Sequence, residues 1–544
     1  MNNLTNLDLA VANNETYHLA VFGQPLKVHH YQACYVENPT PIYENGQVTN
    51  AYQSLQLYIP EHATANSPII LAVDNGGWMA SKSSDRNDAY FEINDGDAFH
   101  FGHSSTLWMN PVEEQVQHTE VAGLFLQAGY VIATPGNRRR DQQNEAGEYV
   151  SHAPANIVDI KAAIRYLRYN AGKFKGDTEK IFVTGFSGGG ALSASIAATG
   201  NHSDFYPYLK EIGAAGILEK DGELHSTIKD DVFGVLSYCP VTDLANADAA
   251  YEWTFQSVRN YTGEQKALAD QLVREFEHYL EHLDLKLEDG QTTLSGANLE
   301  EKLTTLLENG AQKAYTKNKE THFFNDSNSL IYEDEGESYF YNSKRFPVTK
   351  YTIPNNWLTI HADDSLSIDY KHYLLYGTHS FLKNAPAFDN FGTDYQGMIN
   401  ESSIFGSKTQ AYSKFTEWSW NHNTRQDGGI GYKNTKQTWK EYLQTSDGQD
   451  LLKQMALNSP ILYLVEKTDQ TTIAPHWYVR HGMQDYGSVP LATIVVLYYA
   501  LFNCSKVTDL DFAFAWMAEH AGYYDAAEAC AWINETCAKA MVVD

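Results

Sequence analysis

Lys180-Ile181-Phe182-Val183-Thr184-Gly185-Phe186-Ser187-Gly188-Gly189-Gly190-Ala191-Leu192-Ser193 runs from a short apolar segment, through a serine set among glycines, into a segment of small residues. The apolar part reads as a buried strand. The continuation to Ala198 reads as a helix. A Gly-x-Ser-x-Gly turn between a strand and a helix is the context of a nucleophile elbow, in which a strained turn lifts the serine hydroxyl above the sheet edge. Gly185 and Gly189 lack a Cβ, which lets strand and helix pass closely. The Gly188 N–H then lies at a helix N-terminus, where developing negative charge is favoured.

Upstream, Tyr17 to Phe22 and Leu26 to Tyr31 alternate around Gly23-Gln24-Pro25 and predict a hairpin, with Ser54 to Pro60 as a further strand. Pro68 to Val73 is apolar throughout, as in a strand covered on both faces. It runs into Asp74-Asn75-Gly76-Gly77-Trp78, where a glycine pair can turn backbone N–H groups towards a ligand. Residues 81–117 read as an irregular surface insertion. A helix over Val121 to Gly129 and a strand over Tyr130 to Gly136 follow. Asn137-Arg138-Arg139-Arg140-Asp141 at that strand's end reads as a solvated turn, with contact to an anionic substrate group as the alternative. Pro154 to Asn170 predicts an amphipathic helix, and Val232 to Pro240 another buried strand. The alternation of strands and helices predicts a mostly parallel sheet with right-handed crossovers.

From about Asp243 to Gln444 the chain turns polar and acidic, with helices over Gln265 to Leu283 and Leu299 to Thr316. That is too long for a loop and reads as an inserted lid domain, 243–444, between core segments 1–242 and 445–544. The core resumes with Pro460 to Val465, read as partly helical, followed by a strand and its exit turn over Ile473 to Gly482, an apolar helix over Pro490 to Phe502, a last strand over Leu510 to Trp516 and a helix over Ala526 to Cys537. The fold class expected is therefore α/β, of the α/β-hydrolase type with a large helical lid.

The 544 residues carry a net charge of −29, which argues against nucleic acid and anionic membrane as partners. Cys34, Cys239, Cys504, Cys530 and Cys537 form no zinc or Cys-x-x-Cys pattern and read as reduced, mostly buried thiols. The N-terminal residues lack the basic and apolar regions of a secretory signal, which predicts a cytoplasmic location. No apolar run is long enough for a membrane helix.

A serine hydroxyl needs a general base within hydrogen-bond reach, and the base needs a carboxylate to fix its tautomer. The order Ser, Asp, His at successive strand ends is met by Ser187, Asp485 and His520. His476 and His481 are rival bases, and Asp525 is a rival acid. Gly188, with Gly76 or Gly77, is expected to stabilise an oxyanion. The chemistry so predicted is acyl transfer from an ester, with neither metal nor cofactor.

Several blocks resemble the bacterial tannase family, α/β-hydrolases that cleave galloyl esters. They are Ala153-Pro154-Ala155-x-Ile157-Val158-Asp159-Ile160-Lys161-Ala162-Ala163-Ile164-Arg165-Tyr166, the elbow, Tyr238-Cys239-Pro240, Ala250-Tyr251-Glu252-Trp253, Ala385-Pro386-Ala387-Phe388-Asp389, Ile404-Phe405-Gly406 and His476-Trp477-x-x-Arg480-His481-Gly482. The resemblance implies Ser187, Asp485 and His520 as the triad. It also implies that Lys383 and Glu401 contact the phenolic hydroxyls of a small aromatic ester; without it, both would read as surface charges. Two departures stand out. Gly487 replaces a second aspartate that the family uses on the phenolic ring, and Phe186 stands where the family has a smaller residue. They point towards a less hydroxylated acyl group, or another carboxylic ester such as a feruloyl one. A serine peptidase is disfavoured by the lack of an N-terminal propeller repeat, and a non-catalytic ligand-binding relative by the intact Ser, Asp, His order.

Overall fold

The structure, a computed structural model, describes residues 7–21, 24–73, 76–78, 80–83, 121–317, 330–332, 351–353, 356–377, 382–389, 401–423, 429–485, 487–516, 518, 520 and 522–543. Most of the insertion expected at 81–117 therefore lies outside the described residues.

Nine strands form one sheet: β1 (Asn13–Val21), β2 (Gln24–Cys34), β3 (Ser54–Pro60), β4 (Ile69–Ala72), β5 (Val131–Pro135), β6 (Ile181–Phe186), β7 (Gly234–Tyr238), β8 (His476–Gly482) and β9 (Asp509–Ala515), in the order β1-β2-β3-β5-β4-β6-β7-β8-β9. The first three are antiparallel, with Val21 opposite Gln24 across the expected hairpin turn. From β5 to β9 every pairing is parallel. This is the α/β-hydrolase fold. The central strands β4, β5 and β7 are buried at every position, which explains their continuous apolar sequences. Alternate residues serve two cores. Leu71, Val183, Val235 and Val479 face one, while Ile70, Phe182, Leu236 and Tyr478 face the other.

The first core is roofed by α2 (Ala155–Tyr169), α3 (Gly188–Ala198) and α8 (Leu491–Asn503), and the second by α1 (Val121–Gln127) and α9 (Ala526–Val543). Helix α2 corrects the expected amphipathic pattern, since it is buried on every side from Ala155 to Leu167. Its charged residues are matched internally. Lys161 Nζ lies 2.8 Å from Asp230 Oδ1, and Arg165 Nε donates to Asp230 Oδ2 at 2.7 Å. The two cations hold the Asp230 carboxyl down at about 2 against the upward push of burial.

Between β7 and β8 the chain includes α4 (Leu244–Phe255), α5 (Gly263–Leu283), α6 (Leu299–Lys317) and α7 (Tyr370–Gly377), of which α5 and α6 lie close to the two helices expected there. Helix α4 packs on α5 and α8. Helix α6 lies so close to edge strand β9 that a Cβ at Gly310 would sit 2.1 Å from the Phe514 carbonyl oxygen. Among the described residues, no helix is long and apolar enough to cross a membrane, and none of the five cysteines is in a disulfide.

Candidate active site

The elbow is as tight as its sequence requires. Ser187 has φ 58° and ψ −123°, a left-handed conformation that costs a non-glycine residue about 1–3 kcal/mol. The turn is pinned on both sides. Ser187 N–H donates to the Tyr238 carbonyl at 3.0 Å, and Ala191 N–H donates back to the Ser187 carbonyl at 3.0 Å. A Cβ at Gly185 would lie 2.6 Å from Gly189 backbone atoms and from the Val73 carbonyl. A Cβ at Gly190 would lie 2.2 Å from the Tyr238 carbonyl. Gly190 is thus a second close-approach glycine, which lets α3 rest on the end of β7 and which the motif alone does not single out.

The loops after β6, β8 and β9 bring three distant side chains together. Ser187 Oγ is 2.8 Å from His520 Nε2, and His520 Nδ1 is 2.6 Å from Asp485 Oδ2. With Nδ1–H donated to the carboxylate, Nε2 is the acceptor for the serine O–H. Burial alone would raise the Asp485 carboxyl, but the imidazole charge of His520, then His481, and hydrogen bonds from His520 and the Cys239 thiol hold it below its ordinary value. Two of the three rival residues point elsewhere. Asp525 accepts hydrogen bonds from the Tyr238 and Tyr478 hydroxyls and from Arg480 Nε. His476 lies beside Asp509. His481 is fully buried with Nε2 3.7 Å from Asp485 Oδ2.

Gly188 opens α3 immediately after the serine. Gly76 and Gly77 lie in a short turn after β4, with Gly77 at φ 58° and Trp78 at φ 59°. This turn is clamped by the arginines expected to be solvated, which corrects that reading: Arg138, Arg139 and Arg140 are all buried. Arg138 Nη2 and Nε donate to Asp159 on α2 at 2.8 and 3.0 Å. The Arg139 guanidinium stacks 4.5 Å from the Trp78 ring centroid and donates to Asn156. Arg140 donates to the Gly77 carbonyl. With Arg138 matched by Asp159, Arg139 under Trp78 and Arg140 on the Gly77 carbonyl, the run braces the glycine turn from behind.

Lys383 and Glu401 are also buried, 4% and 7% exposed, where the residues alone would read as surface charges. Lys383 Nζ sits 4.0 Å above the Phe388 ring and 3.5 Å from the Ser488 carbonyl, beside Gly487. Its backbone is fixed by the Tyr251 hydroxyl, which accepts its N–H at 2.9 Å, and by Arg259, which donates to its carbonyl at 2.6 Å. Burial lowers the Lys383 ammonium, opposed by the charges of Glu401, Asp248 and Asp485. Burial raises the Glu401 carboxyl, opposed by Lys383 and Arg140. Nearby, Asp248 accepts the N–H groups of Phe388 and Asp389 at 2.6 and 3.2 Å, yet burial and the Asp389 charge push it up to about 7.

The family described as BD-FAE matches residues 103–281. The chain is similar to Esterase LipC of Mycobacterium tuberculosis over a short segment, 43% identical over 58 residues, covering 11% of this chain and 14% of that protein. Solved structures match over nearly the whole length. The native tannin acyl hydrolase from Lactobacillus plantarum superposes with a TM-score of 0.70 at 25% identity, covering 98% of this chain and 100% of that one. Fusobacterium nucleatum tannase gives 0.69 at 25% identity, covering 96% and 98%. A tannin acyl hydrolase in complex with ethyl gallate gives 0.70 at 26% identity, covering 97% and 98%.

Proposed function

Starting from a chain that resembles the bacterial tannases from end to end, we propose that it is a carboxylic ester hydrolase acting on esters of phenolic acids through a Ser-His-Asp acyl-enzyme mechanism. The observation that carries the reading is the unbroken hydrogen-bonded series Ser187 Oγ, His520 Nε2, His520 Nδ1, Asp485 Oδ2, built at the tips of parallel strands. His520 takes the serine proton as Ser187 attacks the ester carbonyl. Asp485 stabilises the imidazolium that results. The oxyanion is received by the Gly188 N–H together with Gly77 or Gly76. The alcohol leaves with the proton from His520, and water reverses the sequence to release the acid.

The inserted segment 243–444 acts in this reading as a lid that supplies the acyl pocket. Lys383 and Glu401, both buried, with the ammonium lowered and the carboxyl raised, read adjacent phenolic hydroxyls. Gly487 removes one acceptor from that pocket, which favours a ring with fewer hydroxyls than gallate and makes a feruloyl-type ester the second reading. A site built to bond a hydroxyl rejects the analogue lacking it by orders of magnitude, so loss of one partner changes selectivity more than rate. Methyl gallate, methyl ferulate and a short p-nitrophenyl ester separate the readings. Turnover of an aromatic methyl ester is expected, with the methyl ferulate to methyl gallate ratio reporting the effect of Gly487. Turnover of none of the three would reject the proposal.

A further inference from the structure

Asp485 has a second set of neighbours besides His520. Cys239 follows β7 and is fully buried, with its backbone in a left-handed turn at φ 43° and its N–H donated to the Arg480 carbonyl at 2.8 Å. Because β7 and β8 run parallel with Tyr238 opposite Arg480, this turn sets Cys239 beside His481. His481 is also fully buried, and neither of its ring nitrogens has a hydrogen-bond partner. Asp485 is 2% exposed, and its Oδ1 likewise has no partner. One ligand atom from each of the three residues lies within 4.8 Å of the others. An imidazole with both nitrogens orphaned in a protein interior is rare and calls for an explanation. The serine mechanism does not use this ring.

We propose that Cys239, His481 and Asp485 form a binding site for a thiophilic divalent cation such as zinc or cadmium, and that its occupation switches off the hydrolase through the shared carboxylate. The second half rests on the proposed function. The first does not.

The donor set is one sulfur, one imidazole nitrogen and one carboxylate oxygen, which suits these cations, with water completing a tetrahedron. Tetrahedral bond lengths imply ligand separations of about 3.5 Å, so side-chain rotation must draw the three atoms together by about 1 Å. On binding, the thiol S–H bond breaks, its proton goes to bulk water, and the sulfur keeps the electron pair that it gives to the metal. The site changes from a buried carboxylate beside a neutral thiol to a cation neutralised by a thiolate and a carboxylate, so no net charge is left in the interior. Asp485 then shares its negative charge with the metal and supports the His520 imidazolium less. The loss is expected in kcat more than in KM.

Cobalt(II) and cadmium(II) added to the full chain provide the test. Cobalt should give a thiolate charge-transfer band at one equivalent. The band should be absent in Cys239→Ser and retained in Cys530→Ser, whose thiol lies on α9. Cadmium should lower kcat of the wild type by about tenfold or more, reversibly with EDTA, and should lower that of Cys239→Ser, relative to its own metal-free rate, far less. X-ray absorption on the zinc-loaded wild type needs no variant, and one sulfur with nitrogen and oxygen scatterers is expected. A sulfur-free shell, or a cobalt band that survives Cys239→Ser, would overturn the site. A cobalt band lost in Cys239→Ser, in a protein that hydrolyses no ester, would uphold the site and reject the proposed function instead. Full esterase activity with the metal bound at Cys239 would overturn the switch.

Discussion

Asp230 sits between Lys161 and Arg165 at 2.8 and 2.7 Å, with the Asn201 N–H as a further donor, sealed under α2 at the far side of the first core. Asp248 is equally buried, but its neighbours include two more carboxylates, Asp389 and Glu401. One cluster has a cation for each oxygen of its acid and is pulled down to about 2, while the other opposes like charges and is pushed up to about 7. Both lie in the same protein interior, so burial alone does not decide the outcome. The difference is whether the charges are arranged to satisfy one another. The Asp230 network is complete and braces the core. The cluster around Lys383, Glu401 and Asp248 instead leaves buried charges opposed, with the ammonium lowered and both carboxyls raised, as is common at functional sites.

This contrast predicts that changes at the serine end remove activity and spare the fold, while changes at Asp230 do the reverse. The largest effect is expected for Ser187→Ala, a loss of more than about 10³-fold in kcat with a melting temperature at least as high as that of the wild type. A variant that kept its rate on methyl esters would remove Ser187 from the mechanism. Asp230→Asn leaves two cations facing a neutral amide and should cost about 3–5 kcal/mol by urea denaturation, with the rate per folded molecule unchanged. Wild-type stability there would mean that the network braces nothing.

A smaller and more selective effect is expected for Lys383→Met. It should lower kcat/KM on hydroxylated aromatic esters by about 10–100-fold and on a p-nitrophenyl acetate control by less than about 3-fold. Equal loss on both would assign Lys383 to the scaffold. The pH dependence of stability separates the clusters most finely. The Asp230 carboxyl is depressed on folding, so its contribution is present above about 4 and is lost as pH falls towards about 2. The Asp248 carboxyl is raised, so the folded state holds a proton that the unfolded chain releases. Stability should therefore fall between about pH 4 and pH 7, by an amount on the order of 4 kcal/mol. Asp248→Asn should flatten that slope in urea titrations, and an unchanged slope would place its origin elsewhere.

The features legible in the sequence were those carried by local periodicity and local sterics. The elbow needed only its strand, its glycines and its small-residue helix. The buried strands announced themselves as apolar runs, and the positions of Asp485 and His520 followed from strand ends. What escaped depends on neighbours that are remote in the chain. Three successive arginines look solvated until Arg138 meets Asp159, Arg139 meets Trp78 and Arg140 meets the Gly77 carbonyl. Lys161 and Arg165 break the apolar face of α2 only because Asp230 receives them. Gly190 becomes obligatory because the Tyr238 carbonyl lies where its side chain would be. Cys239 and His481 meet through the register of two parallel strands, which no spacing rule reports.

The account stands most directly on the identity of the nucleophile, and a fluorophosphonate probe with peptide mapping by mass spectrometry reads it. One adduct per chain is predicted, on the peptide that carries Ser187, with labelling slowed by more than about 10²-fold in His520→Gln. An active protein that takes no label, or takes it on a serine other than 187, would contradict the account.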